Sequence, residues 1–549
     1  MTTIYRFRAL ASFALLAAAL ALPAFAQGER PMDTTRKEMR AGTGGLELDN
    51  ALAPAPPPPA LQGRGNPAAF GGGGMKMNAA SPTLGATVGG AQDIGYARTL
   101  IESGKVPRFI DFSPEGLYSE HDIPTPSSAC DQKLCLSLGY GYAPTADDRS
   151  NALFVHLGMS SNITAATFRR PALQLAVVID RSGSMENANL AAVKTALRSL
   201  LRQLTPEDEL MVVQFNDEAG MLLEPTRITD PAAIMARIDS MTADGGTDIE
   251  AGLRMGFSGL SALPSRPGAL RRVMLFTDAM PNTGRTDSAG FRELTARYAA
   301  EGIGLSAFGV GVDFGQELAY HISNLRGGNF FYLESPEKIA KVFDTEFDYL
   351  VTPLVYDLDI RIATPAGLKL KAVYGLPGWK PGSPDAELHI PTVFLSSNRG
   401  AIILRYEADG SQPLVLRPDA ELASGTLSFT DTDGSAHTAR TVLRHESRKK
   451  LSPGTQFYTH DGMRMAVALT NIYFGLRDGC ILLSEGKQKE AMDVVSRARS
   501  VALLENLALN DEGLAAEIRL LDRLAKNMEA GGAVRSASGT KEDKERRVR

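Results

Sequence analysis

The chain is poor in the residues that build soft-metal and nucleophilic sites. It has three cysteines in 549 residues, and its seven histidines are scattered singly. A zinc site needs four clustered ligands, so none is expected on these residues. Cys130 and Cys135 are close enough to form a local disulfide in an oxidising compartment. Cys480 is left over and reads as a buried thiol on a helix. There is no Gly-x-Ser-x-Gly elbow, and no His can be assigned as base to a serine, so covalent hydrolysis lacks its parts. Gly309-Val310-Gly311 lacks the third glycine of a dinucleotide fingerprint. Basic excess is also missing. The net charge is −5, and removing a leader that carries Arg6 and Arg8 and no acid takes it to −7. That balance argues against a nucleic-acid binder.

Long apolar runs are absent beyond the N-terminus. There, Arg6 and Arg8 precede the apolar stretch Ala9–Ala21, and Ala24-Phe25-Ala26 offers small residues for cleavage. The apolar stretch is shorter than the ~20 residues of a spanning helix. Residues 1–26 therefore read as a cleaved signal peptide, and the mature chain is expected to be periplasmic or secreted, with no transmembrane segment. The length suggests roughly three or four domains, and a 44% hydrophobic content supplies their cores.

Residues 27–90 hold Pro54-Ala55-Pro56-Pro57-Pro58-Pro59 and Gly71–Gly74 and read as a disordered linker. Residues 91–171 start with a short helix near Tyr96 and continue in strand patterns at Leu134–Tyr142 and Ala152–Met159. Over 172–350, apolar strands alternate with amphipathic helices, the pattern of an α/β, doubly wound, mostly parallel sheet. Its strands are Leu173–Ile179, Leu210–Phe215, Val273–Thr277 and Ile303–Val310. Leu190, Val193, Leu197, Leu200, Leu201 and Leu204 form the first helix, and further helices are predicted at Pro231–Met241, Asp248–Gly259, Ser288–Ala300, Gln316–Leu325 and Pro336–Tyr349. Residues 351–450 return to strands, with Asp409-Gly410 and Asp433-Gly434 as turns. Residues 451–530 are helical, and 531–549 form a polar tail expected to be disordered.

The chemistry gathers at predicted strand ends. Asp180-Arg181-Ser182-Gly183-Ser184 ends the first strand of the α/β region, Gly245-Gly246-Thr247 enters a helix, and Thr277-Asp278 ends a third strand. In a doubly wound sheet these loops share one edge. Asp180 and Asp278 supply two carboxylates; Ser182, Ser184 and Thr247 supply three hydroxyls. Two negative charges roughly balance a divalent cation such as Mg²⁺, and neutral hydroxyls leave it able to accept a further carboxylate. Arg181 and Met185 border the site and are candidates to touch a partner; Glu186 lies beside them.

Asp-x-Ser-x-Ser, a distant Thr and a later Asp resemble the metal-ion-dependent adhesion site of the von Willebrand factor type A family. Val310-Gly311-Val312-Asp313-Phe314 and Gly327-Gly328-Asn329-Phe330-Phe331-Tyr332 look like later segments of that family. The resemblance implies a Rossmann-like fold over about 180 residues. It also implies Mg²⁺, with Mn²⁺ or Ca²⁺ as alternatives, held directly or through water by Asp180, Ser182, Ser184, Thr247 and Asp278. The flanking strands resemble those of bacterial exported proteins and, more remotely, of inter-alpha-trypsin inhibitor heavy chains. Residues 351–450 are then expected to pair with 130–171 as a β-sandwich-like region around the inserted α/β domain, followed by the C-terminal helical region. In better-known relatives the last helix of the domain, here Pro336–Tyr349, shifts when ligand binds. The implied function is non-enzymatic: adhesion to a protein partner through a metal-bridged carboxylate. An envelope scaffold binding through its C-terminal helices is the alternative, and a metal-dependent hydrolase is a third reading. The partner and the oligomeric state are not legible.

Overall fold

A computed structural model describes residues 83–126, 130, 132–147, 151–278, 288–311, 327–376, 379, 383–410, 414–446, 451–452 and 454–531. The signal peptide, most of the expected linker, the expected helix Gln316–Leu325 and the polar tail lie outside the described residues.

The elements run in chain order. First come β1 (Thr83–Val88), β2 (Gly90–Ala91), α1 (Gly95–Glu102), α2 (Pro114–Ser119), β3 (Cys135–Pro144) and β4 (Asn151–Thr164). The α/β region holds β5 (Leu173–Asp180), α3 (Ala188–Gln203), β6 (Glu209–Phe215), β7 (Ala219–Arg227), α4 (Pro231–Asp239), α5 (Ile249–Ala262), β8 (Leu270–Thr277), α6 (Ser288–Ala300), β9 (Ile303–Gly309), β10 (Gly328–Tyr332), α7 (Pro336–Ala340) and α8 (Phe347–Leu350). After it come β11 (Pro353–Ala363), β12 (Leu368–Tyr374), β13 (Ala386–Ser396), β14 (Ala401–Ala408), β15 (Glu421–Asp431), β16 (Ala436–Arg444), β17 (Phe457–Tyr458), α9 (Asp461–Ser484), α10 (Gln488–Leu509) and α11 (Glu512–Glu529).

The α/β region is a seven-stranded sheet in the order β2-β10-β9-β8-β5-β6-β7. All pairs are parallel except β6–β7. All eight residues of β5 are buried, because helices cover both faces and leave no side of the strand to water. Leu190, Val193, Leu197, Leu200 and Leu201 of α3 are buried against one face; Leu253, Phe257 and Leu260 of α5 cover the other. The Asp230 and Asp248 side chains accept from Ala233 N and Ala251 N at 3.0 and 2.9 Å and so start α4 and α5. The sequence reading missed β7 and β10, whose short or half-exposed runs carry weak periodicity. The expected last helix is broken. One π-helical turn, Lys341–Thr345, separates α7 from α8. Phe343 on this turn packs 5.0 Å from Phe308 and 6.0 Å from Phe276.

The second sheet has ten strands, eight of them in the order β12-β14-β4-β1-β13-β11-β15-β16. On β4, Leu153–Gly158 pairs with β14, while Ser160 and Thr164 pair with β1. The opposite edge of β4 carries β3, which in turn pairs β17. One strand thus serves both halves of a sandwich-like wrap. The far side returns to β3, where Tyr140 Oη and His445 Nδ1 lie 2.6 Å apart. Asp433-Gly434 is the turn between β15 and β16, and Cys130 and Cys135 are bridged.

The expectation of a linker up to residue 90 is corrected. Thr83–Val88 lies between β4 and β13, with Ala86 fully buried. Gly90–Ala91 then extends the other sheet beside β10. Gly89 N donates to Thr392 O at 3.1 Å and Gln92 N to Phe330 O at 3.0 Å. A ten-residue stretch rich in Gly and Ala carries too little periodicity to announce a strand. It is ordered by ladders from strands far away in sequence.

Helix α9 is the only one among the described residues long and apolar enough to cross a membrane, yet 72% of its apolar window is buried inside the protein. It packs in one core with the second sheet, α10 and α11. A Cβ on Gly475 would stand 2.6 Å from Ala498 Cβ, so glycine there lets α9 and α10 approach closely. Cys480 is a buried free thiol on α9, and burial pushes its pKa well up.

The segments leading into and out of the α/β region are clasped. Arg170 donates from Nη2 to Asp208 Oδ2 at 2.8 Å and from Nε to Asp348 Oδ1 at 2.8 Å. Asp208 also accepts from Leu173 N at 2.7 Å. Burial alone would raise the Asp208 pKa, but the Arg170 and backbone hydrogen bonds outweigh it and hold the carboxyl below its usual value. A depressed folded pKa gives stability that is present above the unfolded value near 4 and lost as pH falls through the folded one. We therefore expect Arg170→Leu, which takes the cation from the 1% exposed Asp208 carboxylate but leaves its bonds from Leu173 N and Thr205, to cost about 3 kcal/mol. Urea denaturation at neutral pH measures this; a loss below about 1 kcal/mol would place the clasp among weak surface pairs.

Candidate metal centre

Five oxygen-bearing side chains predicted from sequence lie on three loops at one end of the parallel sheet. Asp180 is the last residue of β5, and Asp278 follows β8. These strands are neighbours, and the chain runs outward from them in opposite directions: β5 leads to β6 and β8 leads to β9. The site is the topological switch point, where diverging connections leave a crevice at the strand ends. The loop carrying Thr247 precedes α5.

Hydrogen bonds lock the loops together. Gly183 N donates to Gly245 O at 3.0 Å, and Asp244 N donates to Arg181 O at 2.8 Å. Asp217 Oδ2 accepts from Gly246 N at 2.9 Å, and Asn216 Nδ2 donates to Asp244 Oδ1 at 2.8 Å. Gly245 has a φ of +76°, and a Cβ there would stand 2.5 Å from Asp217 Oδ2. Glycine is needed at that turn on both counts.

The acids themselves are well held. Asp180 is fully buried; its Oδ1 accepts from Ser182 N at 2.8 Å and its Oδ2 from Thr277 Oγ1 at 2.6 Å. Ser184 Oγ donates to Asp278 Oδ1 at 2.8 Å and lies 3.2 Å from Ser182 Oγ. Asn189 Nδ2 donates to Asp278 Oδ2 at 2.8 Å and to Ser184 O at 3.2 Å. Thr247 and Ser182 are buried, whereas Ser184 is exposed. The site has a buried floor and a mouth open to water.

Among the described residues no cationic side chain acts on Asp180. Burial raises its pKa from 3.8 to about 6, the bonds from Thr277 and Ser182 oppose the rise, and the Asp278 charge adds to it. Two carboxylates and three hydroxyls, all hard oxygen donors, fit a small divalent cation that keeps some of its waters. A cation there would also relieve the cost of the buried charge.

Other expectations fared differently. Met185 is fully buried in the core under α3, because the short helical turn Gly183–Met185 rotates it inward; it does not border the mouth. Arg181 pairs with Asp244, and Glu186 is exposed. Sequence reasoning missed Asn189 and the Thr277 hydroxyl. Position 189 in the first turn of the helix after the Asp-x-Ser-x-Ser loop was the available signal for Asn189. Among the described residues another acidic grouping, Glu120, His121 and Glu517, could in principle hold a metal. Arg98 fills it, bonding Glu120 and, from Nη1, Glu517 Oε2 at 3.0 Å.

The sequence profile of the von Willebrand factor type A domain matches residues 175–280. An uncharacterized Escherichia coli protein, YfbK, is 27% identical over 194 residues, which is 35% of this chain and 34% of that protein. The inter-alpha-trypsin inhibitor heavy chain H2 of Mesocricetus auratus is 27% identical over 223 residues, 38% of this chain and 22% of that protein. The matches thus span about a third or less of each relative's length. Among solved structures, a von Willebrand factor type A protein from Catenulispora acidiphila aligns with 75% of this chain and 99% of its own, at 15% identity and a TM-score of 0.46.

A pH signature follows from Asp180. Its folded pKa near 6 exceeds the unfolded value, so the metal-free fold loses stability as pH rises from about 4 to 6, on the order of 3 kcal/mol. Asp180→Asn is expected to raise the melting temperature of the metal-free protein at pH 7 and to remove its stabilisation by Mg²⁺. In the unsubstituted protein that stabilisation should be larger at pH 7.5 than at pH 5, because protons compete for the carboxylates. Calorimetry in Mg²⁺ and in EDTA reads both; equal shifts at the two pH values would contradict the assignment.

Proposed function

We propose that the chain, which carries a von Willebrand factor type A domain over residues 175–280, is an exported, non-enzymatic protein that binds an acidic group of a protein partner through a divalent cation. Asp180, Ser182, Ser184, Thr247 and Asp278 would hold the ion, with Mg²⁺ favoured by the all-oxygen set. The bound ion supplies a Lewis-acidic position for a partner carboxylate. The observation that carries this reading is the pairing of two buried carboxylates with an exposed Ser184 at the mouth of a switch-point crevice. The floor supplies the charge that retains a cation, and the mouth leaves it within reach of another molecule.

A binding role also fits the site's hydroxyls better than catalysis does. Ser182 and Ser184 sit against each other and against Asp278. The described histidines, at positions 121, 156, 389, 437, 445 and 460, all belong to the flanking regions. Export rests on Arg6, Arg8, the apolar stretch and the Ala24-Phe25-Ala26 site. Scaffolding through the C-terminal helices is a second reading, favoured by Leu503, Leu504 and Leu507, which are 38%, 53% and 83% exposed on α10.

The test is capture from an envelope extract in Mg²⁺ and in EDTA, with melting temperature as the control for folding. Adhesion through the metal predicts that Asp278→Ala and EDTA each abolish capture, while Leu504→Glu/Leu507→Glu retains it. The opposite pattern would establish the helical scaffold instead. Capture that survives EDTA and both variants would sink both readings.

A further inference from the structure

The opposite end of the parallel sheet carries an unusual charge. Arg272, at the start of β8, is 2% exposed. Its guanidinium donates from Nη1 to Ser306 Oγ at 2.9 Å and to Gly327 O at 3.0 Å, and it lies 5.2 Å from the centre of the Phe394 ring. All three partners are neutral. A buried cation is ordinarily paired with a carboxylate, and burial here lowers its pKa to about 10. The adjacent Arg271 leaves the strand on the opposite face, where it spends Nη2 on Leu260 O.

Both arginines line a cleft of about 740 Å³ between the base of the α/β sheet and the sandwich-like region. Lys133 and Arg169 line it as well, against two acids, Glu301 and Asp431. Asp431 is already engaged by Lys133 and Glu301 by the Ser261 hydroxyl. Outside the Lys133–Asp431 pair, three arginines face one acid, Glu301, in a protein whose net charge is −5. The remaining walls include apolar surface from Phe168 and Leu354. The volume falls within the range of small-molecule sites, and such sites pair apolar walls with a few convergent polar groups. From Arg272 to Thr277 the strand rises roughly 17 Å at about 3.3 Å per residue, so the cleft is separate from the metal centre.

We propose that this cleft binds a small organic anion, an oxyanion head on a compact apolar body, with Arg272 receiving the head. The oxyanion supplies the counter-charge that Arg272 does not find among the described residues. The ligand also bridges the two layers that the cleft separates, so its binding stabilises their junction.

Full-length protein is titrated calorimetrically with phenyl phosphate and, separately, with benzoate, at constant ionic strength set with chloride. Saturable binding of either, at millimolar concentration or below, is expected, with a rise in melting temperature. Preference for one probe assigns a phosphate ester or a carboxylate as the natural head; either preference supports the site. Arg272→Gln should weaken binding about tenfold or more, and Arg272→Met should abolish it, while Asp180→Asn leaves it unchanged. Replacing an uncompensated buried charge by an apolar side chain of similar length is compatible with folding; should Arg272→Met fail to fold, Arg272→Gln decides alone. Failure of both probes to bind the unsubstituted protein, or unchanged binding by Arg272→Gln, would overturn the proposal. The Asp180→Asn arm separates this outcome from failure of the metal-dependent reading.

Discussion

A carboxylate taken out of water must be held by groups that replace its hydration, and the α/β region is organised around that requirement. Asp180 sits at the end of β5 with its oxygens committed to an amide two residues on and a hydroxyl on the neighbouring strand. The bond to Thr277 depends on β5 and β8 being paired in the register that places Ile179 beside Phe276. The Thr247 loop is then drawn in by the Arg181–Asp244 pair and by Asp217. The burial of eight consecutive residues of β5 keeps this corner rigid. Hydrophobic packing therefore contributes to the site indirectly, by fixing where hard oxygen atoms meet.

The two ends of that sheet carry opposite electrostatic problems. At the strand C-termini two acids converge, with an opening to solvent. At the N-termini an arginine is enclosed among neutral partners. Either would be expensive in a purely structural domain, and in each place the neighbouring residues leave room where packing could have filled it. The sandwich-like region closes the arginine end through Phe394 and through Thr392, whose Oγ1 accepts from Gly327 N at 2.7 Å.

Much of the α/β region was legible because its signals are local. Leu173–Ile179 is a continuous apolar run, α3 repeats leucines at helical spacing, and the acid and hydroxyls fall within five consecutive residues. The loops that bring Thr247 and Asp278 to them follow from topology. What escaped the sequence depends on distant partners. Thr83–Val88 has almost no pattern of its own, β16 is nearly all exposed, and the π turn at Lys341–Thr345 is set by the aromatic stack it meets. Asn189 was hidden for another reason. An asparagine in a first helical turn usually serves the helix end, and only the folded loop shows its amide turned toward Asp278.

The placement of β1 governs the order in which the molecule can be assembled. Val88 pairs with Val393 and Gly85 with Ser160, so the first described strand waits for partners synthesised long after it, on either side of the α/β region. That region draws only Gly90–Ala91 into its sheet from outside and has cores on both faces. It can therefore condense while its host is still an open chain. Loop closure across such separations is slow, and until β13 arrives β1 leaves one hydrogen-bonding edge bare. The host sheet is thus the late and vulnerable part of folding, and the inserted domain, by holding its two ends together through Arg170, shortens the search that completes it.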